Sequence, residues 1–279
     1  MTTVGHLHEI PLETKTSALS LVAARLAGRS LAAFPGTVPT SLAAGYACQD
    51  IAISLWPDEV VGWKVGYIAP DRRDDSGEDR VTGPVFSRSV WPALKDGSVP
   101  FPAFVGGFAA VEAEYVFILG KDADPGKTDW TAEDAATLIF ALHIGIETAG
   151  SPLAMINKLG PAVVASDFGN NAGLILGPEI KNWRQYAETD FVCETFIENV
   201  SVGTGGAASI PGGLLGALAF ALNRCARRGF ALKQGCFVTT GAATGIHDIK
   251  VGQKSRIEFG AFGAIDCHAV AAVPFEPKE

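Results

Sequence analysis

The stretch Val111-Glu-Ala-Glu-Tyr-Val-Phe-Ile-Leu119 decides how this chain is read. At the two-residue period of a β-strand it sends Val111, Ala113, Tyr115, Phe117 and Leu119 to one face, and Glu112, Glu114, Val116 and Ile118 to the other. The first face is apolar throughout and suits a core. The second carries two carboxylates that point the same way. Same-face neighbours on a strand stand roughly 6.5 to 7 Å apart at Cα, so the two charges repel unless water surrounds them or a hard divalent cation takes oxygen from both. An edge strand with its polar face in water meets the first condition, and other parts of the chain bear on the choice.

Working outward, His143-Ile-Gly-Ile-Glu-Thr148 alternates again, with His143, Gly145 and Glu147 opposite Ile144 and Ile146. A third carboxylate therefore stands on a strand. Between the two strands, residues 122 to 129 read as a turn, and Thr131-Ala-Glu-Asp134 has the spacing of a helix N-terminal capping box, predicting helix to about Leu142. On the N-terminal side, Val60 to Ile68 reads as a strand holding Lys64 in a glycine-bracketed apolar run. An ammonium there is costly to bury alone, so Lys64 either reaches the surface or faces a pocket containing anions. Residues 69 to 83 are a charged loop without apolar periodicity, which suits a solvated loop or an active-site lid.

The spacing predicts helices over residues 15 to 34 and 40 to 55, separated by Pro35-Gly36. They divide the chain into a helical N-terminal layer, 1–56, and a main unit, 57–279. Downstream, Pro161 to Gly177 has two apolar runs around a polar centre from Ser166 to Asn171, either a turn or a set of groups lining a cleft. Residues 211 to 228 read as the strongest helix, with proline at its start, Arg227 and Arg228 at its end and Gly229 in the stop position. Short strands near 235 to 241, 249 to 251, 255 to 259 and 264 to 270 follow, divided by glycine turns. That rhythm predicts a rolled or barrel-like, mostly antiparallel sheet.

Composition narrows the function. The formal charge of −8 argues against a nucleic-acid backbone as partner, which needs clustered cations. The five cysteines are odd in number and widely spaced with no C-x-x-C pair, so they fit neither a disulfide framework nor a zinc site and point to a reducing, cytoplasmic setting. The N-terminus lacks a signal-peptide pattern, and the apolar run from Leu214 to Leu222 is about half of what a bilayer span requires. Phosphate-loop, nucleophile-elbow and zincin motifs are absent, and Gly203-Thr-Gly-Gly206 lacks the setting of a dinucleotide site. His6 and His8 form the one histidine pair at metal-ligand spacing.

Three strand glutamates after a G-x-K-x-G segment, and before a glycine-stopped helix and a G-x-x-x-T-G strand, form an ordered set. It resembles the fumarylacetoacetate hydrolase superfamily, most closely the branch of 2-hydroxypenta-2,4-dienoate (2-keto-4-pentenoate) hydratases and 4-oxalocrotonate decarboxylases. The matching segments are Gly62-Trp-Lys-Val-Gly66, Gly83-Pro-Val-Phe86, Glu112-Ala-Glu114, Glu147 with Gly150-Ser151, Ser166-Asp167 leading to Leu176-Gly177, and Gly229 through Gly241. The resemblance implies an α+β fold: a mixed, mostly antiparallel β-roll with flanking helices, assembled as a homo-oligomer. It implies that Glu112, Glu114 and Glu147 hold Mg²⁺ or Mn²⁺, that Lys64 acts in catalysis, and that Asp167, Asn170, Thr240 and Gly241 line the substrate pocket.

An all-oxygen set suits a hard ion and leaves coordination positions for the carboxylate and 2-oxygen of a 2-oxo acid. Burial and a nearby cation would lower the Lys64 pKa and favour proton transfer. The implied activity is a metal-dependent lyase, a hydratase or decarboxylase of small 2-oxo or 2-hydroxydienoic acids in aromatic-compound catabolism. The alternatives are an acylpyruvate C–C hydrolase, whose activated water would fall to His6 or His8, and a silent partner subunit of a related decarboxylase or hydratase. The chain departs from the family pattern at Pro152, where arginine is common, at Val81-Thr82, where an acidic residue is common, and at Cys236, where aspartate is usual.

Overall fold

The structure is a computed structural model and describes residues 11–276; His6 and His8 lie outside the described residues. Two helices open it, α1 (Leu12–Leu26) and α2 (Leu42–Leu55). Strands β1 (Val60–Tyr67), β2 (Arg80–Phe86), β3 (Val90–Pro92), β4 (Val99–Ala103) and β5 (Phe108–Leu119) follow. After a short helix α3 (Ala132–Ala136) come β6 (Ile139–Ser151), the short helices α4 (Ile156–Leu159) and α5 (Pro161–Ser166), and β7 (Asn171–Glu179). The chain ends with β8 (Val192–Ile197), β9 (Val200–Gly206), α6 (Gly213–Arg227), β10 (Phe237–Thr239), β11 (His247–Asp248), β12 (Lys254–Glu258) and β13 (Ala264–Ala271). The fold is α+β, as the resemblance implies.

One sheet runs in the order β2-β1-β10-β5-β6-β7-β3, with β11 joined to β5, and a second runs β4-β13-β12-β8-β9. Three pairings, β1 with β10, β4 with β13 and β3 with β7, are parallel and the rest antiparallel. β5 lies between β10 and β6, so it is a central strand and not a wetted edge. Its Val111, Ala113, Tyr115 and Phe117 enter the principal core with Ile144, Ile146, Ile257, Phe259 and Ile265. The long helix α6 adds Leu214, Ala217, Leu218, Ala221, Leu222 and Cys225 to that core, a spacing of three and four that makes one apolar stripe. α1 and α2 share a second cluster with Phe86, Phe108, Ala149 and Phe168, so the N-terminal helices rest directly on the sheet that carries the glutamates.

Three boundaries differ from the sequence expectation. α1 ends at Leu26, because Gly28 takes φ +62° and closes a Schellman motif in which Arg29 N–H bonds Ala24 O and Gly28 N–H bonds Arg25 O. α3 stops after five residues instead of running to Leu142, although Thr131 caps it through Asp134 N–H. The run from Ile139 pairs residue by residue along β5, and that long ladder overrides the local helical signal. The charged loop ends at Asp79, since Arg80–Gly83 already pairs with β1. Among the described residues no helix is long and apolar enough to cross a membrane.

Candidate metal centre

The β5–β6 ladder sets Glu112 directly opposite Glu147, and Glu114 opposite Gly145. Because Glu112 and Glu114 share a face and Glu147 lies across from them, three carboxylates converge. One oxygen from each lies within 4.8 Å of the others. All three residues are buried, none more than 2% exposed. The missing side chain of Gly145 is part of this: a Cβ there would lie 2.7 Å from Val116 Cγ2.

Donors fix one oxygen of two members. Thr240 N–H and Gly241 N–H both donate to Glu114 Oε2, at 2.9 and 2.7 Å. Asn171 Nδ2 donates to Glu147 Oε1 at 3.1 Å, and Lys64 Nζ lies 3.2 Å from the same oxygen. Glu112 Oε1, Glu114 Oε1 and Glu147 Oε2 are buried and have no hydrogen-bond partner. Buried carboxylate oxygens without donors are costly. Three clustered carboxylates, each with such an oxygen, have the chemistry of a hard-cation site, so the residues fit the divalent metal that the sequence resemblance implies.

The electrostatics report the same strain. Burial, then Glu147, push the Glu112 carboxyl up to about 8, with Lys64 opposing. Glu114 is raised well above the carboxylate range by burial and by Glu147 and Glu112, against Lys64 and the Gly241 amide. Glu147 is raised by burial, with Lys64 and Asn171 opposing. Burial pulls Lys64 down, but Glu147, Glu112 and Glu114 together outweigh it and hold the ammonium above its ordinary value. With the protein groups alone, Lys64 is a fixed cation.

Of the expected pocket residues, the structure brings Asn170, Thr240 and Gly241 to the centre. Lys64 Nζ donates to Asn170 Oδ1 at 3.0 Å. Asp167 is buried nearby with both oxygens engaged: Arg25 Nε reaches Oδ1 at 2.5 Å and Ser151 Oγ donates to Oδ2 at 2.5 Å. It holds the wall and presents no open oxygen. Residues 168 to 170 are consecutive left-handed positions, φ +56°, +64° and +57°, at a cost of roughly 1–2 kcal/mol for each non-glycine. Gly83 makes the turn possible, because a Cβ at Gly83 would meet Phe168 O at 1.9 Å.

Sequence reasoning did not single out four contributors. Asn171 holds Glu147. Arg25, from α1, reaches Asp167, Asn171 O at 3.0 Å and Gly150 O at 2.8 Å. Ser151 caps Asp167 and accepts Leu153 N–H. Asn157 accepts from Asn170 Nδ2 at 3.1 Å and, through its carbonyl, from Arg72 in the charged loop, tying that loop to Lys64 in three steps. Pro152 takes the place of a common arginine, yet an arginine from α1, Arg25, does reach this segment, at Gly150 O. Val81 is buried on β2, paired with Gly66 close to Lys64 Nζ.

No family model matches this sequence, and no curated protein matches it. Solved structures do match in fold. The fold is shared with a putative fumarylacetoacetate hydrolase family protein from Yersinia pestis CO92, at 11% identity and TM-score 0.54, covering 75% of this chain and 93% of that one. Greater likeness is to 4-oxalocrotonate decarboxylase from Pseudomonas putida G7, complexed with magnesium and adipate. That match has 17% identity and TM-score 0.75 over 92% of this chain and 97% of that one. Fumarylpyruvate hydrolase from Pseudomonas aeruginosa, in complex with Mn²⁺ and pyruvate, matches at 17% identity and TM-score 0.55 over 75% and 89% of the two chains. At these identities the likeness establishes the fold.

Proposed function

We propose that the chain is a divalent-metal-dependent lyase of small 2-oxo or 2-hydroxydienoic acids, with Glu112, Glu114 and Glu147 holding Mg²⁺ or Mn²⁺. The observation that carries this reading is the convergence of three buried glutamates, one oxygen of each within 4.8 Å of the others, beside a buried lysine, with one oxygen of each glutamate lacking a hydrogen-bond partner. When bound, the cation would supply a Lewis acid for negative charge developing at the substrate's 2-oxygen. In the metal-free protein Glu147, Glu112 and Glu114 hold Lys64 above its ordinary pKa. In this reading it anchors the substrate carboxylate and delivers a proton to carbon. Asn170 orients its Nζ, and Asn171 with the Thr240 and Gly241 amides holds the carboxylates in register.

Release of CO₂, or addition of water to a conjugated dienoate, asks for charge stabilisation and a delivered proton, and this site offers both. Cleavage of an acylpyruvate C–C bond asks in addition for an activated water. Among the described residues no histidine hydrogen-bonds to the triad or to Lys64, and His6 and His8, to which that water would fall, lie outside the described residues. The magnesium- and adipate-bound decarboxylase, a fold neighbour over nearly the whole length, supports the lyase reading. We further propose a homo-oligomer.

The test is turnover of freshly generated 2-hydroxypenta-2,4-dienoate and of 2-oxohex-3-enedioate, followed by ultraviolet absorbance with Mg²⁺, with Mn²⁺ and with chelator. Metal-dependent loss of signal, abolished in Glu112→Gln and in Lys64→Met, is expected, and CO₂ release tells decarboxylation from hydration. Tight Mn²⁺ binding with neither substrate consumed would overturn the lyase assignment. Failure to bind metal would overturn the centre itself.

A further inference from the structure

A cavity of about 550 Å³ is lined by Trp56, Phe86, Arg88, Phe168 and Phe275, and on one part of its wall by Arg25 and Asn171 of the scaffold around the triad. Its volume is within the range of small-molecule sites, roughly 300–1,000 Å³. Aromatic rings line it: Trp56 packs on Phe86 at 5.4 Å, Phe168 at 5.5 Å and Phe275 at 5.4 Å, and Phe86 meets Phe168 edge-on at 5.0 Å. Flat apolar ligands fit such walls by stacking and edge contacts.

The polar groups in this cavity are chiefly donors. Trp56 Nε1 is buried with no acceptor. Arg88 stacks over Phe275 at 4.0 Å and donates Nη1 to Glu276 O at 2.6 Å, and among the described residues it has no carboxylate partner. Arg25, also in the lining, is already paired with Asp167 and is not available to an incoming anion. The Glu276 carboxylate belongs to an exposed residue at the rim, where solvent screens its repulsion. A guanidinium without a carboxylate partner, set among aromatic faces, asks for a ligand with an apolar flat body and an anionic acceptor at one end.

We propose that this cavity is a second small-molecule site, for an aromatic monocarboxylic acid whose carboxylate meets Arg88 and whose ring lies among Trp56, Phe86, Phe168 and Phe275. Glu112, Glu114, Glu147 and Lys64 do not line this cavity, and the site does not rest on the reaction proposed for them.

The test titrates the full chain with 2-naphthoate and with the neutral naphthalen-2-ylmethanol, reading tryptophan emission and calorimetric heat. Saturable one-to-one binding of the acid is expected, at least about tenfold tighter than the alcohol, with the acid weakened by a similar factor in Arg88→Met. Binding of the acid should be unaltered in Glu112→Gln. Equal affinity for acid and alcohol would overturn the carboxylate site, as would the absence of saturable binding. Loss of acid binding in Glu112→Gln would place the ligand on the triad and overturn the proposal equally. The acid-to-alcohol comparison uses the native chain, so it decides the matter even if Arg88→Met folds poorly.

Discussion

Raising the pH of the metal-free protein should destabilise it, and adding metal should remove the effect. Glu112 has a folded pKa of about 8 against an ordinary 4.5. A carboxyl whose pKa is raised by folding binds its proton more tightly in the native state, so its stabilising contribution is complete below 4.5 and is lost as pH climbs towards 8. Each pH unit in that window costs about 1.4 kcal/mol per such group. Other groups fix where to look. His247 is held below its ordinary 6.5 by burial, so it adds stability as pH rises to 6.5 and opposes the slope there. The buried cysteines, with ordinary values of 9, begin to matter only above that. Lys64, raised from 10.5, is constant throughout. Between pH 6.5 and 8 Glu112 alone should therefore remove up to about 2 kcal/mol, with Glu114 and Glu147 acting in the same direction. That is a large part of a total of roughly 5–15 kcal/mol. The assay is urea unfolding of chelated protein at pH 6.5, 7, 7.5 and 8, repeated in excess Mn²⁺. A falling midpoint in chelator and a flat or rising one in Mn²⁺ is the expected pair. Metal-free stability that is level or increases over this interval would refute the view that these carboxylates are buried against their charge.

Two further outcomes test the scaffold around the centre. Arg25→Ala leaves Asp167 buried without its cation and should cost about 3–5 kcal/mol in urea unfolding, with partial recovery in Arg25→Lys; a loss under about 1 kcal/mol would mean that this buried pair is not what joins α1 to the sheet. Gly83→Ala drives a methyl into the Phe168 carbonyl and should cost about 1–3 kcal/mol, measured the same way, whereas an unchanged midpoint would show that the left-handed turn yields freely.

The parts of the centre that were legible in the sequence share one property: they repeat at the strand period. Glu112 and Glu114 fall on one face by alternation, and Glu147 follows from a second alternating run. What joins them is the register of β5 on β6, which sets Glu112 against Glu147 and which no local pattern states. The helix expected through Leu142 failed for the same reason, since twelve residues of β5 impose strand on a segment that a capping signal assigns to helix. Arg25 was illegible because its partner Asp167 is 142 residues away, and an arginine on an Ala- and Leu-rich helix reads locally as solvated. Asn171 lies within the polar cluster from Ser166 to Asn171, but nothing in the cluster distinguishes the asparagine that holds Glu147 from the one that holds Lys64.

The buried charges also explain why the N-terminal helices rest where they do. Three carboxylates and a lysine at the middle of a sheet repay little in stability, because removing them from water costs more than their mutual contacts return. They persist only if their surroundings exclude water and hold them rigidly. The cluster that α1 and α2 form with Phe86, Phe108, Ala149 and Phe168 closes the wall beside the centre, and Arg25 pins that wall from α1 through Asp167 and the Asn171 carbonyl. Asn171 then passes the constraint to Glu147 through its side chain. The helical layer is therefore part of what keeps Glu147 aimed at its two partners, and loosening it should be felt as weaker metal binding before it is felt as unfolding.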